Sequence, residues 1–310
     1  MIKIEELESY KNYGRVLSLS NGVISAYVTL DIGPRIIRFG YEGGQNFMND
    51  DSTNFKPKTD EKYEALFGKG KAWNNYGGHR IWLSPESYPE TYYPDDSKVD
   101  YEVTENGAVF SSKEQRAIGI KVTLELVMDN DDANMLVKMR VKNISEETKR
   151  FAIWGLSVSA QNGTLIVPMN TNDTGLLANR NISVWPYTKL NDERVYFGRK
   201  YVTLKQNPKN TDPFKLGFDL NCGTVYYILG DDNFSKSFET NHPDGIYPDN
   251  NCSFETYTNQ GFLEIESLSE LKDVKAAQET EHTERWSLYK KPCEIDFESD
   301  ESIDSLFEKL

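Results

Sequence analysis

Along most of this chain apolar residues alternate with polar ones at every second position, the period of a half-buried β-strand rather than of a helix. Ile118, Ile120, Val122, Leu124, Leu126 and Met128 form one such series. Met135, Val137, Met139 and Val141 form another after the acidic turn Asp129 to Asn134. Val16 to Leu19 and Val23 to Leu30 flank Asn21-Gly22, a dipeptide that predicts a tight hairpin with both turn residues at positive φ. A third strand is expected over Arg35 to Tyr41, and the second half adds Phe151 to Ser159, Thr164 to Val167, Tyr201 to Lys205, Thr224 to Leu229, Cys252 to Thr258, Phe262 to Leu268 and Glu281 to Tyr289. Such patterning yields about 18 to 20 strands, far more than one seven-stranded sandwich uses, so the expected fold is all-β, two large mainly antiparallel sheets packed face to face.

The expected organisation is a single β domain over residues 1–298 followed by a helix over 299–310. There Ser299 or Asp300 can cap the first turn, and Ile303, Leu306, Phe307 and Leu310 recur at helical spacing. One stretch fits neither period: Asn49 to Gly78 is long, polar and rich in Gly, Lys, Asp and aromatics. A loop of that length inside a compact domain is expected to serve function.

Charge removes several classes of function. The 310 residues carry 35 Lys+Arg against 49 Asp+Glu, a net charge of -14. A chain with that excess of acids lacks the basic surplus that phosphate backbones or anionic lipids require, so neither nucleic acid nor membrane is an expected partner. The acidic start, Met1-Ile2-Lys3-Ile4-Glu5-Glu6, predicts no signal peptide, and no apolar run is long enough to span a bilayer. Three widely spaced cysteines, Cys222, Cys252 and Cys293, suggest neither a disulfide framework nor a zinc site, and a reducing cytoplasm is the expected location. No metal-ligand spacing, phosphate loop or nucleophile elbow occurs, so no cofactor is expected.

Candidate chemistry concentrates in a few places. Trp73-Asn74-Asn75-Tyr76-Gly77-Gly78-His79-Arg80-Ile81-Trp82-Leu83-Ser84-Pro85-Glu86 combines aromatics, paired glycines, an imidazole and a guanidinium. That mixture suits a sugar, whose apolar face stacks on a ring while its hydroxyls need paired donors and acceptors; a strand with satisfied structural partners is the alternative. In Phe262 to Leu268, Glu264 and Glu266 lie two apart on one strand face, either a paired-carboxylate site or the solvated side of an edge strand. A third cluster is His242, Asp249 and Glu255 around a Pro- and Gly-containing acidic loop. With only three histidines, His79, His242 and His282, acid-base groups are few.

The blocks Gly33-Pro34-Arg35-Ile36-Ile37-Arg38-Phe39-Gly40, Asn75 to Trp82, Phe262 to Leu268 and Glu281 to Tyr289, in this order, resemble the galactose mutarotase (aldose 1-epimerase) superfamily, and most closely an uncharacterised bacterial branch of it. The resemblance spans roughly residues 13–290. It implies a galactose mutarotase-like β-supersandwich with a small-molecule carbohydrate lying across a sheet face. The implied chemistry is ring opening and reclosure by a carboxylate base and a histidine acid. On this resemblance Glu266 is similar to the family's base and His79 to the first of its two histidines. Arg35 or Arg38 is similar to the sugar-binding arginine. From the candidate clusters above, Asn75, Arg80, Trp82, Glu86, Glu264 and His242 are expected as further substrate contacts. The sequence departs from the family in the strand Phe151 to Gln161, which lacks the central histidine. Three functions therefore stand side by side: an epimerase-type isomerase, a non-catalytic carbohydrate binder, and a hydrolase or lyase working through two carboxylates.

Overall fold

The alternating segments pair into long antiparallel ladders. In this computed structural model, which describes residues 2–51, 53, 55–291 and 293–308, the strands are β1 (Lys3–Leu7), β2 (Val16–Ser20), β3 (Ile24–Thr29), β4 (Ile36–Tyr41), β5 (Gly78–Ser84), β6 (Asp100–Thr104), β7 (Gly107–Ser111), β8 (Ile120–Met128), β9 (Asn134–Asn143), β10 (Lys149–Ser159), β11 (Thr164–Pro168), β12 (Ile182–Val184), β13 (Val195–Phe197), β14 (Tyr201–Lys205), β15 (Phe214–Phe218), β16 (Thr224–Leu229), β17 (Asp232–Phe238), β18 (Phe254–Thr258), β19 (Leu263–Leu268), β20 (Lys272–Val274) and β21 (Glu279–Lys290). They form an 11-stranded sheet, β1-β2-β3-β4-β5-β10-β19-β18-β15-β12 with β20 on β10, and a 10-stranded sheet, β13-β14-β11-β16-β17-β21-β9-β8-β7-β6. β8 and β9 show the expected alternation residue by residue, with Val122, Leu124, Leu126, Val137, Met139 and Val141 turned into the core. That core lies between the sheets and also takes Phe39, Ile153, Leu263, Ile265 and Trp286.

Several local expectations are corrected. In the first hairpin only Gly22 has positive φ (85°). Asn21 instead closes the turn through its side chain, its Oδ1 accepting from the amides of Val23 at 2.9 Å and Ile24 at 2.8 Å. The stretch Asn49 to Gly78 is not wholly irregular: Glu61–Phe67 is helical, capped by Asp60, whose Oδ1 accepts from Tyr63 N at 2.8 Å. Tyr63 is the helix's single buried residue, so seven residues with one anchor leave no 3.6-residue pattern to read. Pro248–Asn251 forms a short turn in which Asp249, Asn250 and Asn251 are left-handed, with φ of 51°, 64° and 73°. The C-terminal helix Asp300–Phe307 is capped by Ser299 and buries Ile303 and Leu306; Leu310 lies outside the described residues.

The largest correction concerns β19. It is no edge strand: β10 and β18 pair with it on either side, and all six of its residues are buried. No helix among the described residues is long and apolar enough to cross a membrane.

Candidate functional site

Directly opposed residues of an antiparallel pair share a face, so the registers of β5, β10, β19, β18 and β15 write out the outer face of the larger sheet in rows. One row reads Trp82, Trp154, Leu268. The next reads Arg80, Leu156, Glu266, Glu255, Gly217, and the third Gly78, Val158, Glu264, Tyr257, Lys215. The intervening residues, such as Ile81, Ile153, Leu263 and Ile265, face the other sheet. Over these rows lies a cleft of about 1030 Å³. Its floor includes Arg80, Trp82, Trp154, Leu156, Lys215 and Glu264; its walls include Phe55, Lys56, Lys58 and Trp73 from the long loop, Glu86 and Tyr92 on one side, and Trp185, Tyr187, Tyr257 and Phe262 on the other.

Charges interlock across the floor. Arg80 Nη2 donates to Glu264 Oε1 at 3.3 Å, and its Nη1 to Asn75 Oδ1 at 3.5 Å. Both bonds are long, and the buried Arg80 Nε has no partner. The guanidinium lies 4.1 Å from the Trp82 ring centroid. Lys215 Nζ sits 2.7 Å from Glu255 Oε2 and 3.0 Å from Glu266 Oε2, and it is flanked by the rings of Trp154 at 4.7 Å and Trp185 at 4.8 Å. Glu266 Oε2 also accepts from Trp154 Nε1 at 3.0 Å. Gly217 makes room for this cage, because a Cβ there would meet Cys252 Sγ at 2.5 Å and the Trp185 ring at 3.2 Å.

Burial sets the protonation of these groups. Burial raises the Glu264 pKa to about 7 against the pull of Arg80, with the Glu266 carboxylate adding to the rise. Burial likewise lifts Glu255 to about 8, opposed by Lys215 and reinforced by Glu266. For Lys215 burial works against the charge, yet Glu266 and Glu255 hold the ammonium well above the ordinary lysine pKa. The floor thus joins a fixed cation to carboxyl groups that exchange protons near neutrality.

The residues singled out in the sequence separate into two sets. Asn75, Arg80, Trp82, Glu86 and Glu264 line the cleft. Glu266 lies in the same rows but is completely buried beneath it, committed to Lys215 and Trp154. His79 is turned the other way, into the space between the sheets: it is fully buried, its Nδ1 lies 2.9 Å from Ser157 Oγ, and its ring stands edge-on to Trp286. Burial, with Lys236 and Arg80 nearby, holds its pKa well below the usual histidine value. Arg35 is also away from the lining, its Nη2 donating to Asp95 at 2.9 Å and its Nη1 to Gly77 O at 3.2 Å. Arg38 donates to Gly44 O at 2.7 Å. His242 lies outside the lining and pairs with Asp219 at 2.9 Å. Lys215 escaped the sequence reading although it left a signal, a lone cation in the otherwise apolar Phe214-Lys215-Leu216-Gly217-Phe218.

No family model matches the chain, and no curated protein matches it. Solved structures do. A proposed aldose 1-epimerase of Klebsiella pneumoniae aligns over 99% of this chain and 86% of its own with a TM-score of 0.59 at 10% identity. A galactose mutarotase-like protein of Lactobacillus casei aligns over 88% and 100% with a TM-score of 0.55 at 9% identity. A proposed mutarotase of Salmonella typhimurium aligns over 93% and 94% with a TM-score of 0.54 at 8% identity. The chain has the galactose mutarotase-like fold.

Proposed function

We propose that this protein recognises carbohydrate in the aromatic-walled cleft and moves protons at the sugar's anomeric centre, an aldose 1-epimerase-type reaction in which Glu264 meets the substrate. The observation that carries this reading is Glu264 itself, a carboxyl group with a pKa of about 7 on the floor of a cleft walled by indole and phenol rings. Rings of this kind stack on the apolar face of a pyranose, and a base poised near neutral pH is suited to proton transfer. As the carboxylate, Glu264 takes the anomeric hydroxyl proton while the bond between the anomeric carbon and the ring oxygen breaks. The alkoxide formed at the ring oxygen is more basic than a lysine amine and takes its proton from the Lys215 ammonium. Rotation about the adjacent carbon–carbon bond and the reverse transfers close the ring as the other anomer. Glu266 and Glu255 act by holding Lys215 charged and in place.

A second reading, a non-catalytic carbohydrate binder, is favoured by one fact: among the described residues no histidine lines the cleft. One experiment separates the two. Calorimetry and tryptophan emission on a panel of mono- and oligosaccharides measure binding, and anomeric proton NMR on pure α-anomers measures interconversion. The epimerase reading expects acceleration by wild type and a loss of roughly 10²-fold or more in Glu264→Gln, with affinity little changed. Binding without acceleration selects the binder. Neither binding nor acceleration across the panel overturns the carbohydrate reading altogether.

A further inference from the structure

Although the molecule is acidic, cations outnumber carboxyl groups in the lining of the cleft. The chain has a net charge of -14, yet the cleft lining presents Lys56, Lys58, Arg80 and Lys215 against the carboxylates of Glu86 and Glu264. Among the described residues neither Lys56 nor Lys58 makes an ion pair. Lys58 is held in place by its backbone, its N donating to Trp73 O at 2.8 Å and its O accepting from Trp73 N at 2.9 Å. Its ammonium lies 3.9 Å from the Tyr92 ring centroid and 4.6 Å from that of Tyr88.

Unused donors gather at the same end. Arg80 Nε, Trp73 Nε1 and Trp82 Nε1 are buried without a hydrogen-bond partner. Their three side chains form one cluster: the Arg80 guanidinium is 4.1 Å from the Trp82 ring and 5.7 Å from the Trp73 ring, and the two indoles are 5.7 Å apart. Buried donors left unpaired are costly, and a native structure rarely collects several in one spot without something to satisfy them. All three are N–H groups, so the complement is a group that only accepts, and the cationic surroundings favour a negative one. A carboxylate, planar and matched to the guanidinium fork, has that chemistry. Glu264 pairs with Arg80, and Glu255 and Glu266 with Lys215, which leaves Lys56 and Lys58, against Glu86 alone, to supply a positive field at this end. The cavity of about 1030 Å³ also exceeds what one sugar ring fills, with aromatic walls at both ends.

We infer that the end of the cleft formed by Lys58, Trp73, Arg80 and Trp82 is a carboxylate subsite, and that the saccharide the cleft takes is an acidic oligosaccharide built from uronate units. This rests on the carbohydrate reading above.

The test uses galacturonate, mannuronate and glucuronate trimers alongside the carboxyl-reduced, neutral form of each, titrated into the full chain by calorimetry and tryptophan emission. At least one uronate trimer should bind about 10-fold or more tighter than its reduced form at low salt, with the gap narrowing as sodium chloride is raised. Lys58→Gln, an exposed position whose replacement leaves the core intact, should weaken the acidic trimer about 3- to 10-fold more than the neutral one, so that the preference between them shrinks. Equal binding of acidic and reduced trimers, or an unchanged preference in Lys58→Gln, overturns the carboxylate subsite while the carbohydrate reading stands. Glucose 6-phosphate binding in preference to every uronate overturns it in favour of a phosphate. No binding by any of these ligands or by the neutral panel above removes both readings.

Discussion

In the proposed reaction Glu264 and Lys215 carry most of the chemistry, and the charge state of each is set by its neighbours. Glu264 titrates under the influence of burial, then of Arg80, Glu266 and Lys215. If it serves as base it must be unprotonated, so the catalysed rate should rise as pH increases through about 7, and Glu264→Gln should lack that rising limb; a pH profile of anomer interconversion checks this. Lys215 is the single cation between two buried carboxylates. Replacing it by Met leaves Glu266 and Glu255 buried without a counter-charge, and breaking such a pair costs about 3–5 kcal/mol. Urea unfolding should show that loss in Lys215→Met, and Glu266→Gln added to it should recover part of it.

The central elements β10 and β19 are covered on both faces, by the cleft residues outside and by the second sheet inside. Beneath them Lys236, fully buried, donates from Nζ to Gly155 O at 3.2 Å and Ile265 O at 3.0 Å and pairs with Glu284 at 3.0 Å. That ammonium ties the backbones of the two strands together under the carboxylates that β19 displays. Gly155 is what allows it: a Cβ there would lie 2.5 Å from Glu284 Oε1 and 2.7 Å from Met139 Cε. Gly155→Ala is therefore expected to destabilise by about 1–3 kcal/mol through overpacking, measured as a lower urea midpoint at constant m-value. The C-terminal helix, anchored by Ile303 and Leu306, is capped at its start, Ser302 N donating to Ser299 Oγ at 3.2 Å. Ser299→Ala should cost about 1 kcal/mol, a drop in Tm visible by circular dichroism.

At the scale of the molecule, burial of titratable groups shapes stability against pH. Glu264 at about 7 and Glu255 at about 8 bind protons in the fold that the unfolded chain has already released above its ordinary carboxyl pKa of 4.5. Their contribution is present below that value and lost as pH rises through 7 and 8. His282, at about 3, and His79 are pushed the other way by burial, so theirs is present above 6.5 and lost as pH falls. Between about pH 7 and 8 His79 and His282 are mostly neutral in both states, and the raised carboxyl groups dominate the slope. Tm should fall across that window in wild type, and the slope should flatten in the double variant Glu255→Gln, Glu264→Gln.

The sequence by itself determined the all-β class, the paired sheets, the strand positions of the regular alternators β8 and β9, and the C-terminal helix with a cap at Ser299 or Asp300, because a period of two or 3.6 residues and a capping side chain are local properties. It also brought Asn75, Arg80, Trp82, Glu86 and Glu264 together as candidates, since polar and aromatic types crowd within short segments. What only the tertiary structure decided was the side of the sheet each one faces and who its neighbours are. His79 and Arg80 are adjacent in sequence, yet one residue's shift along a strand sends His79 to the core and Arg80 to the cleft. Glu264 and Glu266 read either as a paired-carboxylate site or as the solvated side of an edge strand until the order β5-β10-β19-β18-β15 places them at the centre of the sheet. Lys215, 51 residues from Glu266, reaches it only because β15 and β19 both pair with β18, and that ordering of strands across a sheet leaves no mark on the chain at either position.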